Sequence, residues 1–148
     1  MNYQLQHVQE HLLRVQGKED VKINQDILTA VTNRLTTSTG NVECTLRSIH
    51  DALRELELQQ LYNHERFIRR LLTGVYITIS ADQERNITNR FVQVEIVWRK
   101  LYPQHGMSYA FVLHKICNAL GYVELAQEFA IAKSQSKRSA DEERWQNI

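Results

Sequence analysis

Between Ser80 and Pro103 the apolar residues Ile87, Phe91, Val94, Trp98 and Leu101 recur at alternating spacings of four and three. Only an α-helix brings residues so spaced onto one face. The limits of this helix are also written in the sequence. Ser80 and Gln83 form a capping box, in which each side chain bonds the other residue's backbone N–H, and Asp82 complements the positive end of the helix. Pro103 marks the end, because its ring drives the residue before it out of the helical region. The next stretch, Tyr109 to Leu120, is apolar on most sides, with Ser108 placed as its cap and Gly121 as its stop. A helix apolar nearly all round must be enclosed by others. These two segments set the expected class: all-α, a compact bundle of about six to eight helices with a buried central helix, 109–120.

The rest of the chain fits the same pattern. Leu5, Val8, Leu12 and Val15 mark a first helix that Gly17 ends. Asn24 caps a second, with Ile27, Leu28, Val31 and Leu35 on its apolar face. Thr36 to Asn41 reads as a loop. Ile49, Leu53 and Leu56 face inward from a third helix, and Leu61, Ile68, Leu71 and Leu72 from a fourth that stops at Gly74. Val75 to Ile79 is β-prone in composition but has no partner, so it is expected to be an extended connector. A short helix passes through Leu125 and Phe129. Lys133 to Ser139 then reads as a polar, basic loop, and Ser139 with Glu142 as a second capping box for a last helix carrying Trp145. Five glycines and one proline in 148 residues supply too few turns for a many-stranded fold. The length is that of one domain, so 1–148 is expected to form a single helical domain.

Charge and cysteine narrow the function. Lys and Arg total 18 against 17 Asp and Glu, a formal net of +1, and neither half of the chain is a basic tail. Any nucleic-acid contact must therefore come from a local patch. Cys44 and Cys117 are too few for a four-cysteine zinc ribbon and read as reduced thiols of an intracellular protein. The opening residues show no signal region, and no apolar run is long enough to span a bilayer, so no membrane contact is expected. Asn86-Ile87-Thr88 fits a glycosylation sequon that such a setting leaves unused.

Catalytic patterns are weak. His7, Glu10 and His11 match an H-x-x-E-H zinc motif, and on a helix the two imidazoles would share a face with Glu10 as base. The same helix reads better as an ordinary amphipathic one with histidines on its flank. His114 lies one turn before Cys117, but a nucleophile needs an exposed, electropositive setting, and a buried core thiol is expected here. No phosphate-cradling glycine loop or nucleophile elbow is present. The reading is non-enzymatic, with no cofactor and no metal.

Two basic groups remain. Lys133, Ser134, Lys137 and Arg138 offer cations and a hydroxyl near a helix N-terminus, the combination that holds phosphate. Arg66, Arg69 and Arg70 form a second basic surface on one helix. Trp98 and Trp145 sit at helical spacing with other apolar residues and are expected in the core, not stacked on bases. His114 is expected to be satisfied by a backbone carbonyl.

Four phrases in order resemble the viral late transcription factor 3 family, the poxvirus late trans-activator and its relatives in nucleocytoplasmic large DNA viruses. Ser108-Tyr109-Ala110-Phe111-Val112-Leu113-His114-Lys115 resembles its "SYSYVLHK" stretch. Ala132 to Lys137, then Asp141 and Trp145, resembles its "LKSREKL…D.IW" ending. His7 with Gln16-Gly17-Lys18-Glu19 and Ile23 is similar to its opening segment. Leu53 to Tyr62 with His64, closing at Leu72-Thr73-Gly74, is similar to its "LKKLKLSKYYEH…LTG" middle.

The resemblance implies a factor supporting late-gene transcription initiation by the viral RNA polymerase. Its partners would be the polymerase or other late transcription factors, and promoter DNA. It would act inside the infected cell, in a cytoplasmic viral factory or the nucleus, with packaging in the virion as a further expectation. Family members often carry a cysteine-rich zinc-binding segment before this helical domain; here the expectation is that the segment lies on a zinc-ribbon partner chain, or that this chain is a fragment or a reduced member. The alternative is a protein-interaction adaptor that docks on polymerase or other viral factors without gripping DNA. The near-neutral charge favours the adaptor, and the basic group at Lys133 to Arg138 favours DNA.

Overall fold

The computed structural model describes residues 3–19, 21–36, 40–129 and 135–148, with the side chains of Tyr3, Gln4 and Gln135 outside the description. Among the described residues the fold is all-α, with eight α-helices, one 3-10 helix and no strand beyond an isolated bridge between Thr36 and Val42. None of these helices is long and apolar enough to cross a membrane. The chain forms two compact units, residues 12–78 and residues 1–11 with 79–148.

In the unit of residues 12–78, α1 (Tyr3–Val15) ends ahead of Gly17. Gly17 has φ +65°, and a Cβ there would meet the carbonyl oxygen of Arg66 at 3.0 Å. Only glycine allows that close approach in a left-handed conformation. Asn24 caps α2 (Gln25–Leu35) by accepting from the Asp26 N–H at 2.8 Å. α3 (Leu46–Glu55) starts with a capping box between Thr45 and Ser48. A 3-10 helix (Gln59–His64) leads into α4 (Glu65–Thr73), which Gly74 closes at φ 73°. Val31, Leu35, Ile49, Ala52, Leu53 and Ile68 make the core, with Leu28, Leu56, Leu61 and Leu72 packed around it. Leu71 departs from expectation and is half exposed. Ile68 and Leu72, one turn apart, set the inward side of α4, and Leu71, about 100° round the helix from Leu72, falls at the edge of that side.

In the other unit, α5 (Ala81–Leu101) begins at the expected Ser80–Gln83 box. It buries Ile87, Phe91, Val94 and Trp98, while Leu101, its last residue, stays half exposed. Residues 75–79 form a connector that belongs to no helix or strand, as the sequence implies. α6 (Tyr109–Ala119) is the expected central helix: Phe111, Val112, Leu113, Ile116 and Cys117 are all buried. α7 (Val123–Ala126) is a single turn, and α8 (Gln135–Trp145) closes the unit. Lys115 of α6 pairs with Glu142 of α8, and the Phe111 ring meets Trp145 edge-on at 6.3 Å.

The start of α8 corrects the sequence reading. Ser139 is not a cap; it lies inside the helix, and Lys137 and Arg138 are helical residues instead of loop residues. Gln135 to Ala140 contains no Gly or Pro and no β-branched residue, so nothing delays the helix until Ser139.

Candidate nucleic-acid interface

Of the first basic group, Lys133 and Ser134 lie outside the described residues. Lys137 and Arg138 stand on the first turn of α8, both exposed, and that turn carries no acidic residue. This inverts the usual arrangement. Helix N-termini are positive, so two cations there are unfavourable by about 0.3–1 kcal/mol each until an anion arrives. Asp141 competes internally for Lys137. The carboxylate of Asp141, only 2% exposed, has its Oδ1 3.7 Å from the Lys137 ammonium and 3.7 Å from the Arg144 guanidinium. Both are contacts at ion-pair distance without hydrogen-bond closeness. With 54% of its side chain exposed, Lys137 can leave Asp141 for an outside phosphate.

The second basic group is placed differently. Arg66, Arg69 and Arg70 are all half-buried on α4. Arg70 donates to the Gln16 carbonyl at 3.3 Å and lies 3.9 Å over the Tyr76 ring. Arg69 faces Cys44, where it opposes the upward push of burial on the thiol pKa. These arginines serve the packing of residues 12–78.

The two catalytic patterns resolve into packing. His11 stacks on Tyr109 at 5.5 Å, His7 lies 5.7 Å from the same ring, and Phe91 stacks on it at 5.4 Å. His7 also sits 3.5 Å from Glu10. Cys117 is buried, and burial pushes its pKa up to about 12, the reverse of an activated thiolate. His114 meets a backbone carbonyl, as expected: its Nδ1–H donates to Ala126 at 2.7 Å, and Asn118 Nδ2 lies 3.2 Å from Nε2. A carbonyl only accepts, so the proton must be on Nδ1 and Nε2 takes the Asn118 donor. Trp98 is a core residue, and its indole N–H donates to the His105 carbonyl at 3.0 Å. Trp145 is half-buried.

A sequence reading fixed on apolar stripes overlooks the outer side of α5. Asn86, Asn89, Arg90, Gln93, Ile96 and Lys100 are all exposed there. The signal was the same helical spacing, carried by amides and cations.

The family model described as Poxvirus Late Transcription Factor VLTF3 like matches residues 1–148. The chain belongs to this family. Among curated relatives, "Putative transcription factor A494R" of Paramecium bursaria Chlorella virus 1 is 24% identical over 153 residues, covering 97% of this chain and 42% of that protein. "Putative transcription factor R429" of Acanthamoeba polyphaga mimivirus is 23% identical over 149 residues, covering 97% of this chain and 35% of its own length. The chain thus spans less than half of each. No solved structure matches it.

Within this VLTF3-like chain, several residues of the phrases that resemble the family make packing contacts. Glu19 of the opening segment lies 2.9 Å from His64 Nδ1 of the middle phrase, an ion-pair distance without hydrogen-bond alignment. Gly17 lets that segment approach the α4 backbone, and Gln16, 4% exposed, ties back to the Leu12 carbonyl at 3.0 Å. His114 and Asp141 are enclosed in the other unit. Gln16, Gly17, Glu19 and His64 make these contacts within the unit of residues 12–78, and His114 and Asp141 make theirs within the other.

Proposed function

We propose that this chain is a non-enzymatic transcription factor domain that supports initiation by the viral RNA polymerase at late promoters and grips DNA phosphates through the start of α8. The observation that carries the DNA contact is the pair Lys137 and Arg138, exposed at the start of α8, whose first turn carries no acidic residue. Backbone N–H groups at a helix start and flexible cations together make a phosphate site. Lys133 and Ser134 precede that turn in sequence and extend the same chemistry. The half-buried arginines of α4 are the weaker candidate. Such contacts give affinity and position but do not select sequence.

Neutralisation is the appropriate test, because a Glu at position 137 would face the buried Asp141. Lys137→Gln with Arg138→Gln is expected to weaken binding to any duplex by about tenfold at low salt and to lower the slope of log Kd against log salt by about two. The melting temperature should stay within about 2 °C, since both residues are exposed. Unchanged affinity and slope in that double variant would remove α8 from the interface.

The adaptor reading has one observation in its favour. A hollow of about 380 Å³, mostly apolar, is lined by Arg90, Gln93, Val94, Val97, Ile116 and Trp145 within the unit of residues 1–11 and 79–148. It would admit an apolar side chain of a partner protein. Capture of polymerase subunits from nuclease-treated infected-cell extract supports docking; loss of all capture on nuclease treatment leaves DNA as the bridge.

A further inference from the structure

The buried stripe of α5, Ile87–Phe91–Val94–Trp98, runs at spacings of four, three and four. Displaced by two residues, Asn89, Gln93, Ile96 and Lys100 repeat those spacings on the opposite side of the helix. Two residues are about 200° of helical turn, so one row faces the core and the other faces out. Arg90 lies beside the outer row, and Asn86 lies one turn before it.

The chemistry of this row is unlike that of an ordinary solvated face. A solvated helix surface is served best by Glu, Lys and other strong helix formers in alternating charge. Here the exposed polar residues between Asn86 and Lys100 are amides and cations. The acid in that span, Glu95, is off the row, half-buried and paired with Arg99 at 3.0 Å. Asn86 and Asn89 are poor helix formers placed inside a helix of 21 residues. Ile96, 54% exposed, sits in the middle of the row where solvation gives it no reason to be. Arg85 is occupied by Asp82 at 2.9 Å, and Asn86 donates to the Tyr122 hydroxyl at 3.0 Å. Asn89, Arg90 and Gln93 remain as the projecting hydrogen-bonding set.

Arg bonds guanine through O6 and N7, Asn and Gln bond adenine through N6 and N7, and an apolar side chain meets the thymine methyl group. Three adjacent residues of these types on one exposed helix face, with an aliphatic residue one turn on and a lysine beyond it, are the components of major-groove readout. We propose that α5 is a base-reading helix for duplex DNA: Asn89, Arg90 and Gln93 contact base edges, Ile96 packs on a thymine methyl, and Lys100 holds a flanking phosphate. This rests on the DNA contact proposed above and adds the sequence selection that the α8 phosphate site does not supply.

The test is selection of duplexes by the full chain from a randomised library, followed by anisotropy on the selected duplex and a scrambled one. Asn89→Ala with Gln93→Ala removes no charge and replaces both residues by a stronger helix former, so loss of folding does not confound it. The wild-type preference for the selected duplex is expected to fall at least about tenfold in this variant, with the salt slope and the affinity for scrambled duplex unchanged. An intact preference overturns the assignment of α5. Equal wild-type binding to both duplexes also overturns it while leaving the phosphate contact standing, and no wild-type binding to either removes both proposals.

Discussion

Phe91→Ala is expected to cost about 3–5 kcal/mol of stability, measured as lost hydrogen-exchange protection across α5 and α6. Phe91 is fully buried at the centre of α5 and stacks on Tyr109 with ring centroids 5.4 Å apart and planes 11° from parallel. Tyr109 in turn carries His11 in a second stacked contact. Truncation therefore removes a large apolar transfer term, leaves a cavity that neighbours fill only in part, and strips one ring from a stack. Phe91→Leu, which keeps most of the volume, should lose less than half as much. A loss below about 1 kcal/mol for the alanine variant would mean that this ring is not at the centre of the unit.

Leu53→Ala should destabilise residues 12–78 by about 2–5 kcal/mol. Leu53 is fully buried among Val31, Leu35, Ile49 and Ile68, and its carbonyl accepts the Leu58 N–H at 2.8 Å where α3 turns toward the 3-10 helix. The side chain fills the core, while the backbone fixes the exit of α3. Alanine retains the backbone bond, so the effect should be a cavity effect alone. Exchange protection of α2, α3 and α4 should fall together, and protection that falls only in α3 would contradict a shared core.

Local rules account for what the sequence made legible. Asn24, the Ser80–Gln83 box, Gly17 and Gly74 each act within a few residues, and the structure uses all four as expected. The box at Thr45–Ser48 escaped because its third position is a serine where the usual signature has Glu or Gln. Ser139–Glu142 deceived for the converse reason: the same spacing occurs by chance inside α8, where the chain upstream already favours helix. The partners that close the units were not legible. Nothing local pairs Glu19 with His64, or directs His114 to Ala126, since those contacts exist only after the helices pack.

The candidate site was legible as composition but not as geometry. Lys137 and Arg138 stood out as cations, yet their helical placement and the buried Asp141 behind Lys137 required the fold. Gly17, His64, His114 and Asp141 of the family-like phrases are engaged in packing contacts, whereas the outer row of α5 lies outside those phrases. Phrases fixed within their own units by Gly17, by His114 or by Asp141 report which residues the fold cannot exchange freely, which is separate from where DNA would lie.

The most direct measurement is fluorescence anisotropy of a labelled A+T-rich duplex with the full chain across a salt series. Binding is expected at low salt and should weaken steeply as salt rises, with a log–log slope of at least about two from Lys137 and Arg138 alone. No binding at low salt, or binding indifferent to salt, would contradict the phosphate contact and leave the chain as an adaptor.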